Sequence, residues 1–277
     1  MQNNQDLAEE IFCLKYEIDT LAEMILRKSS ERWVPGFINE ITEVSHLERY
    51  QLACKYTVNK NVADIACGIG KGSNMMSNIG KAQHILGMDI QPEAIRYARW
   101  RNKESQITFE IADVQRLEIY NKYDLAVSFE TIEHLPDYKS FLKGVTCLLK
   151  KDGYVLVSTP ISAVDEDKSP DNPHHIQEWG FHKFQEIISE YFVIEKIFVQ
   201  LYPKKIDYHQ QKPTLSERVI KKIKQIIHRK DVEKKISNSE INPSIFSKIE
   251  EFTGQYPVDD LGSTRLGYQI LLAKVMK

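Results

Sequence analysis

The chain lacks most of the features by which a sequence declares an unusual environment. It has four cysteines, Cys13, Cys54, Cys67 and Cys147, scattered without CxxC or metal-ligand spacing. That pattern argues against a disulfide framework or a zinc site and fits a reducing cytoplasm. No run approaches about 18 consecutive apolar residues. The opening MQNNQDLAEEIF is polar and acidic where a signal peptide would be basic and then apolar. The expectation is a cytoplasmic protein, soluble or peripheral to the inner face of the membrane. No charge of one sign dominates either: 37 Lys+Arg stand against 39 Asp+Glu, a formal charge of -2. Without a global positive field, nucleic acid is not an expected partner.

What is present has clear periodicity. Leu7, Ile11, Leu14, Ile18, Leu21 and Ile25 follow an alternating four-three spacing, the seam of a coiled coil or a long amphipathic helix. Its partner is either the rest of the chain or a second copy, giving a homodimer through residues 7–25, with Glu10, Lys15 and Glu17 at the rim. Trp33, Pro35 and Gly36 then interrupt helix, and SHLERYQLACKYTV reads as a second helix starting near a Ser45 cap. From Asn61, β-rich runs alternate with helix-like segments: VADIA, QHILGMD, ITFEIA, YDLAVSF and YVLVSTP are separated by NMMSNIG, PEAIRYARWRN and DYKSFLKGVTCLLK. Such alternation predicts an α/β domain around a doubly wound parallel sheet with right-handed crossovers. HKFQEIISEYF and VIEKIFVQLY add a helix and a strand, and GYQILLAKVM a last strand. The expected organisation is an N-terminal helical region over 1–58, a core over 59–202, a helical insertion over 203–266 and a final core strand over 267–277.

The run VADIACGIGKG ends the first strand in a turn containing Gly68, Gly70 and Gly72, with Asp64 just before it. Glycine admits positive φ and close approach of a ligand to the backbone. Asp89 ends the second strand, where a carboxylate can accept both hydroxyls of a ribose. Asp113 ends the third, facing the place of an adenine amino group, with Ile90 and Val114 positioned to sandwich the ring. Each acid alone reads more readily as a cap or turn residue; three at successive strand ends point to a nucleoside. A dinucleotide fits less well. The third glycine of GxGxxG falls on Ser73, and the loop favours an amino-acid moiety over a pyrophosphate.

VADIACGIG, GMDI, IADV, SFETIEHL and LLKKDGYVLVSTP, in this order, resemble the motifs of class I S-adenosylmethionine-dependent methyltransferases. ERWVPG, HLERYQLA, DIACGIGKGS, FETIEHL and NPHHIQEW further resemble bacterial methyltransferases associated with surface-polysaccharide and glycan synthesis. The resemblance implies a mainly parallel seven-stranded sheet and S-adenosylmethionine as cofactor. It implies that Asp64, Ala66, Cys67, Gly68 and Gly70 hold the methionine end and Asp89 the ribose. Ile90, Asp113 and Val114 would hold the adenine, Phe129 and Glu130 would lie near the methyl group, and Arg49 would pair with the cofactor carboxylate. Ala66 departs from the pattern, standing where the family often has its first loop glycine.

Methyl transfer from a sulfonium is an in-line displacement, catalysed mainly by alignment and exclusion of water. In FETIEHL a helical turn would put Glu130, Glu133 and His134 on one face, with Glu133 and His134 as catalytic candidates and His134, of ordinary pKa about 6.5, the better base. Capping or scaffold packing is the alternative for Glu133. A second expectation joins Glu130, Glu133, His134 and His175, or its neighbour His174, around a divalent metal, as similar clusters do in ubiquinone-type and small-RNA 2'-O-methyltransferases. Otherwise the two histidines belong to a loop in which Asp171, Asn172 and Pro173 make a turn. The basic amphipathic stretch 215–230 reads as a cap helix or as a peripheral membrane contact. The expected activity is methyl transfer to oxygen, with nitrogen as the alternative, of a small-molecule or glycan-linked acceptor. A silent nucleotide-binding module, or a quinone-type or RNA 2'-O-methyltransferase, stands as the alternative.

Overall fold

The computed structural model describes residues 2–27, 34, 40–201, 249–254 and 267–276. Two compact units are distinguished: Met1–His46 with Pro203–Ser247, and Leu47–Tyr202 with Lys248–Lys277. The described part of the first holds helix α1 (Gln2–Arg27) and the start of α2 (Glu40–Cys54). In α1 the four-three seam is not the buried side. Cys13, Tyr16, Glu17 and Thr20 are buried, whereas Leu7, Ile11, Leu14 and Ile18 are exposed, so the described chain leaves these four seam positions uncovered. α2 begins at Glu40, earlier than the Ser45 start expected, and Ser45 is a buried residue within it.

The second unit is built on a sheet of β1 (Asn61–Ile65), β2 (His84–Asp89), β3 (Ile107–Ile111), β4 (Tyr123–Ser128), β5 (Leu149–Ser162), β8 (Phe192–Leu201), β9 (Ile249–Glu251) and β10 (Gly267–Val275). Their order is β3-β2-β1-β4-β5-β10-β8-β9. Two short strands, β6 (Glu166–Asp167) and β7 (Glu178–Gly180), join it beside the end of β5. β1 to β5 run parallel, and β10 lies antiparallel between β5 and β8. The α/β architecture is the one expected. Val62, Ala63, Ile65, Leu125, Ala126 and Val127 are buried, as continuous apolar runs in a sheet covered on both faces must be. Helices α3 (Lys71–Asn78), α4 (Pro92–Arg101), α5 (Tyr138–Leu148) and α6 (Phe181–Ser189) supply that cover. α5 is capped by Asp137, whose Oδ1 accepts from Ser140 N at 3.0 Å, and it buries Phe141, Leu142, Val145 and Leu148.

Strand order reverses between β1 and β4, which opens a crevice at the carboxyl ends of these strands. Residues 47–54 of α2, expected with the N-terminal region, belong to the sheet unit. Within 203–266 only residues 249–254 are described, and they include strand β9, paired to β8; the rest of the expected helical insertion lies outside the described residues. The basic stretch 215–230 lies outside the described residues. Among the described residues no helix is long and apolar enough to cross a membrane.

Candidate functional site

β1 ends at Ile65 and the chain turns through Ala66–Gly70 into α3. Ala66, Gly68 and Gly70 have φ of 59°, 54° and 75°, all left-handed. A Cβ on Gly68 would meet nothing within 4 Å, so the backbone there fronts open space, as close approach of a ligand requires. Gly70 serves packing instead, because a Cβ there would lie 2.5 Å from the Phe109 ring. Cys67 turns its thiol into a small core with Ile95, Ala98 and Phe109, leaving its backbone to the turn.

Asp64 is fully buried. The Tyr50 hydroxyl donates to its Oδ1 at 3.0 Å and the Ser73 hydroxyl to its Oδ2 at 2.5 Å. Burial pushes its carboxyl up to about 7, against the pull of those two bonds and with the nearby Asp89 charge adding to the rise. Asp64 therefore ties α2 and α3 to β1. Asp89 spans the crevice mouth, accepting from Gly68 N at Oδ2 and from Gln91 N at Oδ1, both at 2.9 Å. A carboxylate offers about four acceptor positions, so it keeps capacity for two hydroxyls. Asp113 accepts from Gln115 N at 3.0 Å, capping the short turn Val114–Arg116. Ile90 is 61% exposed and Val114 is buried.

Beyond β4, Phe129 packs edge-on against Tyr50 with centroids 5.1 Å apart. Glu130 follows at φ 52°, and its Oε1 accepts from the Ser158 hydroxyl at 2.9 Å. Only a three-residue turn, Ile132–His134, forms next; the longer helical face expected to align Glu130, Glu133 and His134 does not. Instead Glu133 points inward, fully buried, with no hydrogen-bond partner for either carboxylate oxygen. Burial, then the Glu130 charge, hold its carboxyl well above the usual range.

The loop after β5 closes on this turn. Ile176 N and Gln177 N donate to the Glu133 carbonyl. Asn172 shapes the loop as expected, its side chain accepting from His174 N at 3.1 Å and its carbonyl from His175 N at 3.1 Å. His134 Nδ1 donates to the His174 carbonyl at 2.9 Å, which leaves the lone pair on Nε2. His175 donates from Nδ1 to Glu178, and Asn172 Nδ2 donates to its Nε2 at 2.9 Å. Ligand atoms of Glu133, His134 and His175 all lie within 4.8 Å of one another. Glu130, the fourth residue expected there, is not part of that trio; it is drawn to Ser158.

Arg49 on α2 is completely buried. Its Nη1 donates to Gln200 Oε1 at 2.7 Å, its guanidinium lies 4.4 Å from the Tyr268 ring centroid, and Nε and Nη2 have no partner. Gln200 is held in turn, donating to Glu48 Oε2 at 2.7 Å. Tyr50, Ser73, Ser158, Gln200 and Tyr268 were not singled out from sequence. For Ser158 and Gln200 the available signal was a polar residue inside an apolar strand, as in VLVSTP and FVQLY; Tyr50, Ser73 and Tyr268 carry no such mark.

A family profile described as a methyltransferase domain matches residues 57–234, well over half of the chain. The chain belongs to this methyltransferase domain family. The malonyl-[acyl-carrier protein] O-methyltransferase of Bacillus anthracis is 26% identical over 125 residues, covering 44% of this chain and 46% of that protein. Matches to the first curated relatives thus span less than half of their length. The N-methyltransferase NodS of Bradyrhizobium japonicum, in complex with S-adenosyl-L-homocysteine, superposes with TM-score 0.54 at 13% identity over 94% of this chain and 99% of that one. The [4+2]-cyclase SpnF gives 0.57 at 13% identity over 98% and 96%. At such identities these likenesses establish the methyltransferase fold alone. The methyltransferase domain match begins after α2, so α1 and Arg49 lie outside it.

Proposed function

We propose that the chain transfers the methyl group of S-adenosylmethionine to a hydroxyl oxygen of a small or glycan-linked acceptor. Three features of the crevice fit that cofactor: the open backbone at Gly68, the remaining acceptor capacity of Asp89, and two buried Arg49 donors suited to a carboxylate. Bound there, S-adenosylmethionine supplies an electrophilic methyl on a sulfonium sulfur. Transfer of that methyl to the acceptor oxygen would leave the electron pair of the broken carbon–sulfur bond on sulfur.

The observation that carries the oxygen acceptor is the acid–imidazole trio beyond β4. His134 Nε2, set as the basic nitrogen by the bond from Nδ1 to His174, takes the hydroxyl proton. His175 is less suited, since Asn172 donates to its Nε2. The glycan-linked class rests on the motif resemblance, and the O-methyltransferase named among the relatives supports oxygen. Titration calorimetry with S-adenosylhomocysteine tests the cofactor. Tight binding is expected, weakened about tenfold or more by Asp89→Ala through lost charge-assisted bonds; NADH binding in its place defeats the reading. Labelled cofactor incubated with fractionated glycans, quinones, RNA and protein tests the acceptor, and label confined to RNA or protein overturns it.

The same trio supports a second reading, a divalent metal held by Glu133, His134 and His175. A carboxylate with two orphaned oxygens beside the Nε2 lone pair of His134 offers suitable donors, His175 could join them only if Asn172 released its Nε2, and a metal there would supply acidification of a bound hydroxyl. Thermal melts with Mg²⁺, Mn²⁺ or Zn²⁺ separate the readings. A stabilisation abolished by Glu133→Gln supports the metal, whereas full activity in chelator leaves His134 as a metal-free base.

A further inference from the structure

α1 carries two different faces. Cys13, Tyr16, Glu17 and Thr20 are buried, while Leu7, Ile11, Leu14 and Ile18 are 59%, 57%, 46% and 62% exposed. Large aliphatic side chains this exposed, four in a row along one stripe of a helix, form a patch of the kind that marks an interaction site. The spacing assigns heptad positions. With Ile11 at a, Ile18 and Ile25 are also a, and Leu7, Leu14 and Leu21 are all d. Ile at a with Leu at d is the combination that favours two parallel strands over three or four.

We infer that this stripe pairs with the same stripe of a second copy as a parallel two-stranded coiled coil, dimerising the protein through α1. Two further residues agree with the register. Asn4, exposed, falls one heptad before Ile11 at an a position, where a single Asn selects in-register dimers because only there does its amide meet its own copy. Glu10 at g and Lys15 at e have the spacing of an interhelical ion pair in parallel chains. Antiparallel pairing would break both matches. Three heptads are short for an isolated coiled coil, since helix nucleation is costly. Here the opposite face is already buried, so the helix exists before the partner arrives.

Sedimentation equilibrium on the full chain tests the pairing: a dimer is expected, with Ile11→Lys/Ile18→Lys shifting it to monomer. Both positions are exposed, so the variant's melt and its binding of S-adenosylhomocysteine should stay as in the parent. Leu14→Cys, in a Cys147→Ser background, reports direction. Oxidation should give a covalent dimer through Cys at a d position facing its own copy. A full chain that is monomeric at its highest soluble concentration overturns the proposal. So does a dimer unaffected by the double substitution, or a dimer whose Leu14→Cys variant does not cross-link.

Discussion

At the scale of single residues, the turn after β1 contains a strained alanine. Ala66 is partly buried; what matters is its φ of 59°, a region that costs a residue with a Cβ roughly 1–2 kcal/mol. Ala66→Gly removes that cost but adds back about 0.4–1 kcal/mol of unfolded-state entropy. A net gain near 0.5 kcal/mol, or about 1–2 °C in Tm, is expected, and a lower Tm in calorimetry would contradict the strain. Glu133 raises a different question, that of charge. Its carboxyl, fully buried, is held well above its ordinary pKa by desolvation, so the folded state keeps a proton that the unfolded state releases. Stability from this group therefore falls as pH rises past the ordinary glutamate range. Glu133→Gln cannot titrate, and its Tm should decline less between pH 4.5 and neutrality than that of the parent. Activity should fall about 100-fold or more if the trio handles the proton. Parallel Tm–pH curves would place Glu133 outside the coupling.

At the scale of elements, the site depends on contacts between segments far apart in sequence. Gln200 near the end of β8 holds Arg49 of α2 and is itself held by Glu48. Gln200→Leu keeps the volume and removes both bonds, so Arg49 should lose its fixed direction. Binding of S-adenosylhomocysteine should weaken about tenfold, the value of one bond to a charged group, with a fall in Tm as well, since a buried guanidinium loses its one hydrogen bond. A Tm loss with affinity unchanged would make the Glu48–Gln200–Arg49 chain purely structural. This dependence also explains what the sequence could reveal. Alternating strands and helices, the glycine turn and the acids at strand ends are local patterns, and all were readable. The burial of Asp64 between Tyr50 and Ser73, the short turn that replaces a helical face at Glu130–His134, and the clamp on Arg49 depend on strands that meet only after folding. The N-terminal seam was equally readable as a period, but a period does not tell which of two surfaces covers it.

For the whole molecule, the decisive feature is that the last described strand is not at the edge. β10 lies between β5 and β8 and bonds to both along most of its length. Ile270, Leu271, Leu272 and Val275 are buried, each contributing roughly 1.5–3 kcal/mol, a sum comparable with the total stability of an ordinary domain, about 5–15 kcal/mol. Its partners are reached across long sequence separations, which makes the pairing slow and late. A chain ending before Gly267 should therefore leave β8 and β9 unattached and the Arg49 site without Tyr268 beneath it. Such a chain is expected to lose its near-ultraviolet circular dichroism, to be cut rapidly by protease within residues 190–201, and to bind no S-adenosylhomocysteine. Adding a peptide of residues 267–277 in excess should restore part of the protease protection, because the groove between β5 and β8 presents unpaired backbone on both sides. A truncated chain that melts cooperatively at the parental temperature with its affinity intact would mean that β1 to β5 fold and bind without the strand that joins them to β8.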